Sequence, residues 1–235
     1  MKLILIPCPI AENTTATSLA PEVPAYIAKC QYFLVENVRT ARRFISELKL
    51  GITIDSLTFE ILNKDTQKKS ILDFFQKHQN EAYIGVISEA GCPGVADPGA
   101  LAVGIAQEMG IEVIPLVGPS SILLALMGSG FSGQKFAFHG YLPIEKPARI
   151  KRMEQLVQLT EKTGETHMFI ETPYRNNGLL EDMIQHLPGN TFVAIGANLQ
   201  GEGGFIQTKT LKDWSAQKPE LHKIPCIFLF GQTNN

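Results

Sequence analysis

Tyr83-Ile84-Gly85-Val86-Ile87 carries no charge and runs straight into Ser88-Glu89-Ala90-Gly91-Cys92-Pro93-Gly94-Val95-Ala96-Asp97-Pro98-Gly99. A short, continuous apolar run that stops at a loop of glycine and proline suits a strand buried on both faces of a parallel sheet. In open α/β sheets the loops beyond the carboxyl ends of such strands are where ligands bind. Glycines let a backbone approach a ligand closely. Glu89 and Asp97 offer carboxylates to hydroxyl or amino groups. The same pattern equally supports a tight structural loop, with Asp97 near the N-terminus of the next helix, where a carboxylate is favoured.

Working outward, similar apolar runs recur at residues 3–6, 32–35 and 52–59, with helical spacing of apolar residues at 42–50 and 66–78 between them. That alternation predicts an α/β sheet. A helix over 101–109 closed by Gly110 and a strand over 111–116 complete the first half. Beyond Gly118-Pro119 the spacing predicts helix 122–127, strand 135–139, helix 147–163, strand 167–171 and helix 176–186. Strands at 191–197, 205–208 and 224–230 follow. The simplest organisation is two α/β lobes, residues 1–116 and 117–235, with a ligand cleft between them as the default site.

The composition is compatible with either one large domain or two small ones. The chain has 235 residues, 44% of them hydrophobic and 19% charged, against roughly 25% charged in an average soluble protein. A filled core is therefore expected, and disorder is excluded as the main state. The 21 Lys and Arg against 23 Asp and Glu leave a net charge of −2. No global field draws the chain to nucleic acid or an anionic membrane, so an RNA partner must be held by a local patch. Cys8, Cys30, Cys92 and Cys226 form no C-x-x-C pair, and the five histidines show no H-x-x-x-H spacing. The expectation is a reduced cytoplasmic chain without a metal site.

Two stretches invite a false reading. Residues 113–134 carry no charge, but Pro115, Gly118, Pro119, Ser120 and Ser121 interrupt them, so no membrane span is expected. The run 3–6 before Cys8 is far shorter than the roughly 7 to 15 residues of a signal sequence's apolar region, and reads as a first strand. Gly128-Ser129-Gly130-Phe131-Ser132-Gly133 fits G-x-G-x-x-G literally. A dinucleotide fingerprint must follow a strand and open a helix, whereas here a helix precedes and a strand follows, so a helix stop and turn is predicted.

The loop Ser88 to Gly99, followed by Val113-Ile114-Pro115-Leu116-Val117-Gly118-Pro119-Ser120-Ser121, resembles the paired signature of the tetrapyrrole methylase family of S-adenosylmethionine-dependent methyltransferases. Pro7-Cys8-Pro9-Ile10 through Asn13 is similar to that family's first-strand loop, and Val35-Glu36-Asn37-Val38-Arg39 to its A-E-D-T-R segment. Phe138-His139-Gly140-Tyr141-Leu142-Pro143 and Phe169-Ile170-Glu171-Thr172-Pro173-Tyr174-Arg175 resemble its second-lobe motifs. The resemblance covers nearly the whole chain in order and lies nearest the branch that methylates a cytidine ribose 2′-oxygen in small-subunit ribosomal RNA.

The resemblance implies two α/β lobes, S-adenosylmethionine as cofactor and a homodimer. Residue by residue, it implies a cofactor site lined by Pro9, Ser88, Glu89, Ala90, Gly91, Pro93, Val95 and Ala96. Pro119, Ser120, Ser121 and Ile122, together with Phe169, Ile170 and Glu171, complete that site. Glu89 stands where the RNA branch usually has Asp. Gly196-Ala197-Asn198-Leu199-Gln200-Gly201 lacks the Arg, Glu and Lys of that branch's A-R-E-L-T-K, which points to altered substrate contacts. Candidate RNA contacts are Arg39 and the densest basic cluster, Lys146, Arg149, Lys151 and Arg152; judged by charge alone, the cluster reads as a solvated helix face. The step expected is direct methyl transfer to a nucleophilic oxygen or nitrogen, governed by positioning, and the sequence identifies no general base. A small-molecule methyltransferase and a non-catalytic cofactor-binding regulator are the alternative readings.

Overall fold

The structure, a computed structural model, describes Met1–Thr233. Its contacts divide the chain into Met1–Ser120 and a second unit beginning at Ser121. In the first unit, β1 (Lys2–Ile6) leads through short helices α1 (Thr15–Ser18) and α2 (Glu22–Ile27) to β2 (Tyr32–Val35) and α3 (Val38–Glu47). Then come β3 (Thr58–Ile61), α4 (Lys68–Lys77), β4 (Tyr83–Ile87), α5 (Gly99–Glu108) and β5 (Glu112–Pro115). The strands lie in the order β3-β2-β4-β1-β5, and every pair is parallel.

The apolar runs are continuous because both faces are covered. Successive side chains of a strand point to opposite faces. Ile4 and Ile6 pack with Val23 and Ile27 of α2 and with Phe44 and Ile45 of α3. Leu3 and Leu5 pack with Ile71 and Phe75 of α4 and with Ala102 and Ile105 of α5. Each fully buried side chain of this kind contributes about 1.5–3 kcal/mol. At Gly85 an added Cβ would come within 2.6 Å of the Phe33 ring and 2.9 Å of Ile6, so the glycine gives Phe33 its room.

Two expectations need correction here. The run 52–59 is not one strand: Ile54–Ser56 is a 3₁₀ turn. Asp55 pairs with Arg42 and the Ser56 hydroxyl donates to the Thr53 carbonyl at 2.7 Å, so the strand starts only at Thr58. The helix expected at 42–50 begins at Val38, because the Asn37 side chain accepts from the amides of Arg39 and Thr40 and caps it. The sequence reading also passed over α2, which takes Pro24 in its first turn, where a missing N–H costs little.

The second unit comprises α6 (Ser121–Ser129), β6 (Phe136–Tyr141), α7 (Lys146–Thr163), β7 (Thr166–Ile170), a 3₁₀ turn (Pro173–Arg175) and α8 (Asn176–His186). It ends with β8 (Phe192–Ala197), β9 (Phe205–Thr210), α9 (Leu211–Ala216) and β10 (Cys226–Phe230). The order is β6-β7-β10-β8-β9. Only β6 and β7 run parallel; the other pairs are antiparallel. Met153, Leu156, Leu179, Met183 and Trp214 bury one face of this sheet, and Ala125, Leu126 and Phe131 the other. The G-x-G-x-x-G stretch is a helix stop: the Ser129 hydroxyl donates to Leu126 and accepts the Phe131 amide at 3.0 Å. No helix among the described residues is long and apolar enough to cross a membrane.

Candidate functional site

In the first sheet β1 and β4 are neighbours, and their connections leave in opposite directions, to β2 and to β5. A doubly wound sheet opens a crevice at such a point, beyond the carboxyl ends of the strands. The loops there are tied to one another. Cys8 and Gly91 exchange both backbone hydrogen bonds, at 2.9 and 3.0 Å, joining the loop after β1 to the loop after β4. The Cys92 thiol lies 3.4 Å from the Pro119 carbonyl, joining the loop after β4 to the turn after β5. Burial pushes the Cys8 thiol up to about 12 and raises that of Cys92 as well, so both are packing groups rather than nucleophiles.

Gly91 and Gly118 make this close approach possible. Gly91 has φ +73°, and a Cβ there would sit 3.4 Å from the Pro119 carbonyl. At Gly118 a Cβ would overlap the Pro7 ring at 2.1 Å. The Ser88 hydroxyl is buried and donates to the Gly91 carbonyl at 3.3 Å. Asp97 serves its own loop, accepting the amides of Gly94 and Gly99; this is the structural role that the sequence left equal with ligand binding. Glu89, Ala90, Val95 and Ala96 are exposed.

A cavity of about 400 Å³ opens at this edge, lined among others by Pro9, Asn13, Thr40, Arg43 and Glu89. The Thr40 hydroxyl donates to Glu89 at 3.1 Å. Glu36, just past the end of β2, holds its proton more tightly than an ordinary glutamate, because burial and then the nearby carboxylates of Glu89 and Asp97 disfavour its charge. Three carboxyl groups thus converge on one strand edge. Glu36, Thr40 and Arg43 stand at or beside this edge and were not among the predicted site residues. The signal available was Glu36's place immediately after a buried strand.

The remaining predicted cofactor residues belong to the second unit or to the connection into it. Pro119 and Ser120 end the first unit, while Ser121 and Ile122 open α6. The Phe169 side chain is fully buried and stacks on Phe228, leaving only its backbone for a ligand. Ile170 packs against the core. Glu171 is committed to Arg175 at 2.6 Å and to the Thr172 amide.

The basic residues are not equivalent. Lys146 and Arg149 both pair with Asp182, at 2.8 and 2.7 Å, and the Asp182 side chain is only 6% exposed. Burial alone would raise the Asp182 carboxyl; the hydrogen bonds and charges of Lys146 and Arg149 outweigh it and hold it below the usual range. Arg149 also donates to the Ile144 carbonyl, so much of this positive charge is spent inside the fold. Arg152 donates to Gln155 and faces His139. Lys151 and Arg39 are exposed. Residues 196–201 form the end of β8 and a tight turn: Asn198 has φ +45°, and its amide donates to the Pro225 carbonyl at 2.9 Å.

Comparison with known proteins supplies a name for relatives of this chain. It is 27% identical to a ribosomal RNA small subunit methyltransferase I of Vibrio cholerae over 230 residues, covering 97% of this chain and 76% of that protein. It is 31% identical to the protein of the same name from Mesorhizobium japonicum over 210 residues, covering 89% of this chain and 67% of the relative. No family model matches. Among solved structures, the methyltransferase CobJ superposes with a TM-score of 0.64 at 14% identity, over 98% of this chain and 94% of that one. A uroporphyrin-III C-methyltransferase from Thermus thermophilus, complexed with the demethylated form of S-adenosylmethionine, gives 0.58 at 13% identity, over 99% and 98%. At those identities the likeness is one of fold.

Proposed function

Because the chain belongs to the ribosomal RNA small subunit methyltransferase I family, we propose that it transfers a methyl group from S-adenosylmethionine to RNA of the small ribosomal subunit, at the ribose 2′-oxygen of a cytidine. The observation that carries the reading is the carboxyl edge of the first sheet. Its loops are stitched together at Cys8–Gly91 and Cys92–Pro119, and beside them opens the cavity lined by Pro9, Asn13, Thr40, Arg43 and Glu89. The carboxyl groups of Glu36, Glu89 and Asp97 gather there, and negative charge favours a cationic donor. The bound donor supplies an electrophilic methyl on a positively charged sulfur. The chain's own part is to hold donor and hydroxyl in line, a contribution that reaches about 7 to 11 kcal/mol in well-oriented systems. The loops after β1 and β4 would hold this donor, which would give its methyl to the 2′-oxygen and remain as a neutral thioether, the hydroxyl proton passing to solvent water.

Labelled methyl donor tests the reading directly. Incubated with small ribosomal subunits from a strain lacking this gene, the protein should place the label in ribosomal RNA, on a cytidine ribose. Label in small metabolites, or nowhere, would overturn it. The demethylated product should also raise the melting temperature, since a ligand at a hundred times its Kd stabilises the folded state by about 2.7 kcal/mol. Gly91→Val should abolish that shift, because valine at a positive φ, 3.4 Å from the Pro119 carbonyl, displaces the loop. The protein is further read as a cytoplasmic homodimer, supported by the family resemblance; light scattering should give twice 25.8 kDa.

A further inference from the structure

In the second unit, strands β6 and β7 run parallel and end side by side, with Tyr141 in register with Ile170. There stand two tyrosines that contribute nothing to the core, Tyr141 as the last residue of β6 and Tyr174 just past β7: Tyr141 is 62% exposed and Tyr174 69%. Tyr174 is nonetheless held in place. The Lys223 amide donates to the Pro173 carbonyl at 3.0 Å. The Leu221 amide donates to Asn177 at 2.8 Å, and Asn177 in turn donates to Glu220 at 2.6 Å. This fixes residues 220–223 against the turn that carries Tyr174. Lys223 has φ +63°, a backbone conformation that non-glycine residues rarely take.

The fixed segment surrounds the ring with particular chemistry. His222 meets Tyr174 edge-on, its centroid 5.8 Å away at 77°. The Lys223 ammonium lies 5.9 Å from the centre of the same ring. On the other side of the turn Arg175 is anchored by Glu171, whose side chain is 2% exposed. An exposed aromatic ring on a tied-down turn, with a cation over it, suits a flat π-system joined to an anion. A hydrocarbon surface would leave the ammonium without a partner.

We propose that Tyr174 is a stacking platform for an unpaired base of the RNA substrate, with Lys223 on the adjoining phosphate. This rests on the reading of the chain as an RNA methyltransferase. Single-stranded RNA is bound in this way, by aromatic faces alongside cations. Because the backbone that carries Tyr174 is tied down beforehand, less ordering opposes binding.

Tyr174→Ala, Tyr174→Trp and Lys223→Ala decide the matter, each first shown to melt like the parent. With unmethylated small subunits, Tyr174→Ala should raise KM for RNA about tenfold, the loss expected for one stacked base, and leave kcat unchanged. Tyr174→Trp should restore the parental KM. In fluorescence anisotropy with a labelled single-stranded oligoribonucleotide, Lys223→Ala should lower the salt slope by about 0.7, one phosphate contact. Binding of the demethylated cofactor should be the same in all four proteins. Parental KM and oligoribonucleotide affinity in Tyr174→Ala would overturn the proposal. If the parent methylates no RNA, the functional reading falls instead, and the anisotropy comparison of parent with Tyr174→Ala still decides whether the ring stacks a base.

Discussion

His139 and His167 show what a sequence cannot display about single residues. They are 28 positions apart, and only the register of β6 on β7 brings His139 Nε2 within 3.0 Å of His167 Nδ1. Arg152 donates to His139 Nδ1 at 3.3 Å, so that nitrogen must be the acceptor and the His139 proton sits on Nε2. His139 therefore donates to His167, whose own proton is left on Nε2, buried and without a partner among the described residues. Burial comes first in lowering both histidines below their usual range. For His139 the His167 ring and Arg152 add to it, with Glu165 opposing; for His167 Glu165 opposes and Arg152 adds. The sign follows from proton counting. A histidine lowered in the folded state takes up its proton later than in the unfolded chain, so stability falls as pH drops through the ordinary histidine range near 6.5. Each such histidine steepens the fall by at most about 1.4 kcal/mol per pH unit. Denaturant titrations from pH 7.5 to 5 should show a shallower loss in His139→Gln/His167→Leu than in the parent; equal slopes would mean that the pair does not titrate with folding. His78, also lowered by burial, keeps the variant's slope above zero.

At the scale of elements, the buried parallel strands were legible because both faces of the sheet are covered. Apolar runs such as Tyr83–Ile87 then carry the signal without any alternation. Short helices were less legible. The six residues of α2 and the six of α9 hold too few turns for a period to show; α9 exists because Leu211 and Trp214 are buried and Thr210 caps it by accepting the Asp213 amide. The start of α3 was misplaced for a different reason. Its first turn, Val38-Arg39-Thr40, holds a single apolar residue, too few for a period to show, and what defines it is Asn37, which accepts from two backbone amides. That cap stands where the family pattern has Asp, a residue with the same capping geometry. Asn37→Ala should cost about 1 kcal/mol, or about 2–4 °C of melting temperature for a chain of this size, while Asn37→Asp should melt like the parent. Since Thr40 also holds Glu89, a frayed first turn should weaken cofactor binding beyond the loss of stability.

For the whole molecule, the contacts divide the chain after Ser120; the sequence reading set its boundary after residue 116, where alternating strands and helices give way to a less regular order. The mixed direction of the second sheet was not legible, since parallel and antiparallel strands of similar burial read alike in sequence. Each unit has its own covered sheet, and the second owes one face to α6, whose Ala125 and Leu126 pack on Ala194, Ile227 and Leu229. The excised fragment from Ser121 onward should therefore fold by itself. The chain's single tryptophan reports this, because Trp214 is 1% exposed and its indole N–H donates to the Val193 carbonyl at 2.9 Å. Expected are blue-shifted emission and one cooperative unfolding transition seen alike by fluorescence and circular dichroism. A fragment beginning at Gly130 lacks α6 and exposes that apolar face, so it should show red-shifted emission or aggregate. Equal behaviour of the two fragments would mean that α6 is not needed to complete the second unit, and a gradual transition in the longer one would mean that this unit depends on the first.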